Sequence, residues 1–179
     1  WDEVLACAAN PSLQIVLSNT TEVGIQLVHE DIQQAPPASF PGKLLAFLLA
    51  RYQFFHGDLS KGLVIVPTEL VSNNGTLLES IVSELAHLNK LEYDFIAWLE
   101  NACTFCNSLV DRIVPGRPSA ERLFAYQAEL GYSDQLLVVA EPYCLWAIEG
   151  NEKVSSVLSF QKVNQESIIV APNIDRFRE

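Results

Sequence analysis

Cys103 and Cys106 form a Cys-x-x-Cys pair, the spacing of half a zinc site or of a redox dithiol. Asn74 precedes Gly75 and a helical pattern, so its amide suits a helix start, where anions are also favoured. Asp111 and Arg112 are adjacent, as in an ion pair that holds a loop. Asn19, Thr20 and Glu22 follow a short apolar run and read as a turn with a capping Thr. Asn19-Thr20-Thr21 and Asn74-Gly75-Thr76 also match glycan-acceptor sequons, here read as coincidence because both fall at expected strand ends. Lys43 and Glu141 read either as surface residues or as cleft lining.

The metal reading of the cysteines meets an obstacle. A structural zinc needs four ligands, and no second Cys pair exists. His29, His56 and His87 are scattered singly. A redox dithiol normally opens a helix, whereas this pair follows a helical pattern. Buried reduced thiols are the preferred reading, and no metal is expected. A stand-alone binding module with zinc at Cys103 and Cys106 is the alternative from another class.

The elements that must position these residues show in the apolar pattern. Leu13 to Leu17 and Leu63 to Val66 are short apolar runs, each read as a buried strand. Pro41 opens a helix carrying Leu44, Phe47, Leu48, Tyr52 and Phe55 on one stripe, with Lys43 and Arg51 elsewhere. Leu78, Ile81, Val82, Leu85 and Leu88 mark another helix, and Phe95, Ile96 and Leu99 a third. Strand–helix alternation predicts a parallel α/β sheet, in which ligands bind beyond the carboxyl ends of the strands. The polar clusters at 18–22 and 67–75 fall at such ends. Later, 120–130 reads as a helix closed by Gly131. The segments 136–140, 143–148, 154–160 and 167–170 read as strands.

The 179 residues carry 11 Lys plus Arg against 22 Asp plus Glu, a net charge of −11, with 49 % hydrophobic and 18 % charged residues. That excludes a disordered polyelectrolyte and argues against nucleic-acid binding, which needs a basic face. The longest apolar run, Leu44 to Ala50, is too short to span a bilayer, so no membrane is expected. The chain begins at Trp1 and contains no Met, which suggests a processed or cut piece of a longer protein.

Several segments in order carry a resemblance. They are Ser18-Asn19-Thr20-Thr21-Glu22-Val23-Gly24-Ile25, Phe40-Pro41-Gly42-Lys43-Leu44 and the 67–75 run Pro-Thr-Glu-Leu-Val-Ser-Asn-Asn-Gly. The 105–116 run, with Val110-Asp111-Arg112-Ile113, and the Glu141-Pro142-Tyr143 to Glu149-Gly150 run follow. Together they resemble the mannitol dehydrogenase family of long-chain polyol-specific NAD-dependent dehydrogenases, nearest its tagaturonate-reducing branch.

The resemblance implies an α/β fold, the second half of a Rossmann-type NAD-binding domain over residues 1–116. A strand-rich extension over 117–179 would lead to a C-terminal helical domain outside the chain. It implies a cytoplasmic oxidoreductase using NAD and a small sugar-acid substrate, with hydride moving between NAD(H) and the keto group of a hexuronate. Tagaturonate and altronate would be the pair, with fructuronate reductase or mannitol dehydrogenase as siblings. Asn74 would donate to the developing oxyanion, and Asp111 would position substrate hydroxyls or a catalytic Lys outside this chain. Arg112 would pair with Asp111 or face the carboxylate of the sugar acid. Asn19, Thr20 and Glu22 would lie near the nicotinamide ribose. The glycine-rich fingerprint and the Lys motif of the family do not occur in these 179 residues, so the resemblance implies that the piece alone does not catalyse.

Overall fold

In a computed structural model, the structure describes residues 1–21 and 23–177, with Gln161 as backbone only. The first half alternates as the sequence predicts. A short helix, α1 (Asp2–Ala6), leads to β1 (Ile15–Ser18), α2 (Phe40–Phe54) and β2 (Val64–Pro67). Then come α3 (Asn74–Leu88), α4 (Tyr93–Ala102) and β3 (Thr104–Phe105). β1, β2 and β3 form a parallel sheet in that order, with Val16 opposite Ile65 and Ser18 opposite Pro67. Parallel register places the ends of β1 and β2 side by side, so their polar clusters meet.

Every residue of β2 is buried. Because side chains alternate along a strand, Ile65 enters a core with Leu45, Leu48, Leu78, Leu85 and Phe95. Val64 and Val66 enter a second core on the opposite face with Ile148, Val154 and Leu158. β1 lies at one edge of this sheet, and its Leu17 is half exposed.

α2 starts where its caps dictate. Ser39 Oγ accepts from the Gly42 N–H at 3.0 Å, and Pro41 occupies the first turn. The helix ends at left-handed His56 and Gly57. One expectation fails here: Arg51, read as lying off the apolar face, is 1 % exposed. Its guanidinium donates to four backbone carbonyls, those of Lys61, Ala8, Asn10 and Leu13, at 2.6 to 3.0 Å.

The second sheet contains β4 (Ser108–Asp111), β5 (Leu145–Glu149) and β6 (Ile168–Ala171). β4 and β5 are antiparallel, and β5 and β6 are parallel. It therefore takes strands from both sides of residue 116. Between β4 and β5 lies α5 (Ala120–Leu130), capped by Ser119 and closed by left-handed Gly131. None of its residues is buried.

Two strand readings are corrected. Residues 136–140 hold only a single bridge, Val139 to Gly116, with Leu136 and Val138 exposed. An apolar run without a partner strand makes no sheet. Residues 154–160 are not a strand either: they belong to α6 (Glu152–Val157) and a following 3-10 turn. Asn151 Oδ1 caps this helix by accepting from the Lys153 and Val154 N–H groups. Val154 and Leu158, four residues apart, enter the second core together. The cap and the helical spacing override the β preference of the valines. No helix among the described residues is long and apolar enough to cross a membrane.

All four cysteines are free thiols. Cys103 ends α4, Cys106 lies in the second core, and both are buried, whereas Cys7 is exposed. Among the described residues no three His, Cys, Asp or Glu side chains are grouped to hold a metal ion. Burial pushes the Cys103 thiol up to about 11 and the Cys106 thiol up to about 12, from an ordinary 9.0. The folded chain thus holds these protons longer than the unfolded chain. Stability is expected to be unaffected below the ordinary thiol range and to fall as pH rises through about 11 and 12. At neutral pH, Cys7 should react promptly with a disulfide reagent, and Cys103 and Cys106 only after denaturant is added. Prompt native labelling of Cys103 or Cys106 would contradict this.

Candidate functional site

The ends of β1 and β2 are joined by side chains. The Ser18 carbonyl accepts from the Thr68 N–H at 2.9 Å and from the Thr68 hydroxyl at 2.7 Å. Glu69, buried at the end of β2, reaches back to β1. One carboxylate oxygen accepts from the Thr20 N–H at 2.9 Å and the Thr20 hydroxyl at 2.8 Å, and the other from the Ser18 hydroxyl at 3.0 Å.

Asn74 joins the end of β2 to the start of β4. It is not the cap of α3; that position is held by Asn73, in a left-handed conformation at φ 53°. The Asn74 amide N–H groups face the carbonyls of Pro67, Glu69 and Ser108 at 3.0 to 3.1 Å. Its oxygen accepts from the Ser108 and Gly75 N–H groups, both at 2.9 Å. The side chain thus meets Ser108 as a neighbouring peptide unit would, through both N–H and C=O. Three acceptors already face its two N–H bonds, and the residue is 1 % exposed. No N–H is left for a substrate carbonyl, and no room for a glycan. The Ser108 hydroxyl donates to the Pro67 carbonyl and closes the same joint.

Gly75 is required by this joint. A Cβ there would stand 2.4 Å from the Cys106 backbone and 2.6 Å from the Asn107 nitrogen. The next N–H, of Thr76, is capped by Asn107 Oδ1 at 3.0 Å. The start of α3 is therefore filled by the chain itself.

Beyond this frame lie two adjoining clefts. One, about 560 Å³, is lined by Asn19, Thr21, Thr68, Glu69, Asp111 and Arg112, among others. The other, about 400 Å³, extends past Ser72 and Ser108 to Phe177. Glu69, Leu70, Val110 and Asp111 line both. Ligands are expected at this position, outside the carboxyl ends of parallel strands.

Asn19, Asp111 and Arg112 thus share one cleft. Thr20 does not face it as a free ligand, because Glu69 takes both its N–H and its hydroxyl. Glu22 lies outside the described residues. Asp111, the last residue of β4, is exposed. Arg112 is turned to the Glu141 backbone, donating from Nε at 3.0 Å and Nη2 at 2.9 Å to its carbonyl. Glu141 also accepts from the Ile113 N–H at 2.6 Å, so it holds the cleft rim. Nη1 takes no part in the Arg112 anchor. Lys43 lies elsewhere, donating to the Ala38 carbonyl at 3.0 Å.

Glu69 was missed as a site residue by sequence reasoning. Its only signal is a carboxylate within a polar run at a strand end. Chemically, the cleft offers an amide, a carboxylate and a guanidinium on rigid strand ends, which suits a hydroxylated ligand bearing an anionic group.

The sequence matches the family model for the mannitol dehydrogenase Rossmann domain over residues 1–162. The altronate oxidoreductase of Bacillus subtilis (strain 168) is 47 % identical over 165 residues, or 92 % of this chain and 34 % of the relative. That of Enterobacter sp. (strain 638) is 42 % identical over 171 residues, or 95 % and 35 %. The chain spans about a third of the length of these relatives. Among solved structures, a Pseudomonas fluorescens mannitol 2-dehydrogenase in ternary complex with NAD and D-mannitol aligns with a TM-score of 0.73 at 19 % identity. The match covers 98 % of this chain and 36 % of that one. A substrate-free D-sorbitol dehydrogenase aligns with a TM-score of 0.70 at 21 % identity, over 98 % and 37 %. These structural likenesses establish the fold.

Proposed function

Because the chain belongs to the mannitol dehydrogenase family, we propose that its complete gene product is a cytoplasmic NAD-dependent oxidoreductase acting on a hexuronate, interconverting tagaturonate and altronate. The observation that carries the substrate choice is the 47 % identity to an altronate oxidoreductase across 92 % of this chain.

The residues present suit one end of NAD. The cleft beyond β1 and β2 offers Asn19 and Asp111 to neutral hydroxyl and amide groups. The start of α3 does not suit the pyrophosphate, since backbone already occupies the space beside Gly75 and Asn107 caps Thr76. The chain therefore fits the nicotinamide–ribose end. NAD, when bound, supplies the hydride acceptor or donor. Asp111 accepts hydrogen bonds from substrate hydroxyls. Arg112, held at the rim by the Glu141 carbonyl, faces the uronate carboxylate. Asn74 acts indirectly, by fixing the strand ends that carry these groups.

The test is turnover by the complete gene product on tagaturonate, fructuronate and fructose, followed through the absorbance of reduced nicotinamide. Tagaturonate should be preferred; a clear preference for fructose would overturn the reading. Arg112→Ala should raise the KM for the uronate by about tenfold, as loss of a charge-assisted bond would. The same weakening for a neutral ketose would remove Arg112 from carboxylate recognition.

A further inference from the structure

We infer that Glu69 is a positioning residue for the cofactor, setting the turn after β1 so that Asn19 is held toward the nicotinamide–ribose end. This rests on the NAD reading above. Glu69 is 3 % exposed, and burying a carboxylate is costly unless hydrogen bonds replace water. All three donors it receives come from the tripeptide 18–20: the Ser18 hydroxyl, the Thr20 N–H and the Thr20 hydroxyl. Thr68 ties only the Ser18 carbonyl, so the carboxylate of Glu69 is what fixes Thr20.

The base of Glu69 is itself fixed. Its carbonyl accepts from the Asn74 amide at 3.0 Å and from the Val71 N–H at 2.7 Å. A chain of bonds therefore runs from β4 through Asn74 and Glu69 to the turn carrying Asn19. Glu69 also lines both clefts. It stands where a change in the turn would reach a cofactor without touching the Arg112 rim.

The design predicts different outcomes for removal and for isosteric replacement. In Glu69→Gln, the amide oxygen still accepts both Thr20 donors, and the amide N–H donates to the Ser18 oxygen. The turn survives without the charge. In Glu69→Ala, Thr20 loses both partners and the turn is released.

The experiment is titration of NADH, read by nicotinamide fluorescence, with the complete gene product and its variants, alongside uronate KM. Glu69→Ala should weaken NADH binding by about tenfold while uronate KM stays within about threefold. Glu69→Gln should bind NADH within about threefold of wild type. Thr20→Val, which keeps the N–H bond and loses only the hydroxyl bond, should weaken NADH binding about threefold with uronate KM unchanged. It decides the matter if Glu69→Ala does not fold. Unchanged NADH binding in Glu69→Ala or Thr20→Val would overturn the assignment. So would Glu69→Gln binding as weakly as Glu69→Ala, because charge rather than position would then be at work. Equal losses for cofactor and uronate would also overturn it, marking a general scaffold. A wild-type protein that binds no NADH would instead overturn the proposed function.

Discussion

Replacing Asn74 with Ala is expected to lower the unfolding free energy of the complete gene product by about 3–5 kcal/mol. The substitution strands the N–H and the carbonyl of Ser108 at a buried joint, and takes one of two donors from each of the Pro67 and Glu69 carbonyls. Each buried polar group left unpaired costs about 1–3 kcal/mol, and partial rearrangement recovers some of the total. Asn74→Asp should be worse than Ala. A carboxylate has no N–H for the three carbonyls and places negative charge against them. Equilibrium urea unfolding of the three proteins checks both points. An Asn74→Ala protein of wild-type stability with only a reduced kcat would instead mark the amide as a direct donor to substrate.

Arg51 should show a loss of similar size for a different reason. Arg51→Leu keeps much of the apolar volume but removes four hydrogen bonds to the carbonyls of Ala8, Asn10, Leu13 and Lys61. It also removes the guanidinium stacked 4.9 Å over Phe55. Burial lowers the pKa of this group, yet arginine keeps its charge in proteins. The expected loss is about 3–5 kcal/mol. Arg51→Lys should recover only part of it, because three donors on one nitrogen cannot reproduce a planar fork. The same unfolding experiment reads the result. Because the segment before β1 is anchored here, native-state hydrogen exchange at residues 7–13 should rise in Arg51→Leu. Unchanged exchange would show that this segment is held by other contacts.

These two residues mark where the sequence was legible and where it was not. The first sheet was readable because four-residue apolar runs and stripes spaced three and four apart report burial directly. Arg51 broke that logic. A charged residue in a helix reads as solvated, and its acceptors are backbone carbonyls, which leave no trace in side-chain pattern. Asn74 stood out beside Gly75, but its bonding did not, since Ser108 is 34 residues away. Asn19, Asp111 and Arg112 were legible as polar residues at strand ends, and the cleft brings them together. Glu69 was visible only as a letter in a polar run; its importance comes from Ser18 and Thr20 on another strand. The 136–140 segment misled because its run of leucines and valines has no partner strand beyond one bridge, with Leu136 and Val138 exposed. Near 154 a cap and a packed i, i+4 pair outweighed β-branched composition.

The excursion between β4 and β5 leaves and returns through one narrow neck. The Glu141 N–H donates to the Ile113 carbonyl at 3.1 Å, and the Val139 N–H to the Gly116 carbonyl at 2.8 Å. Inside the neck, α5 buries none of its residues. A loop whose ends are already pinned pays little for added or lost residues, since closure entropy grows only slowly with length. Insertions and deletions between Gly116 and Val139 can therefore accumulate without shifting the pairing of Asp111 with Leu145. The neck carries Arg112 and Glu141, so the rim stays put while the appendage above it diverges. The strand pairing below the neck is thereby insulated from changes in the length of the segment above it.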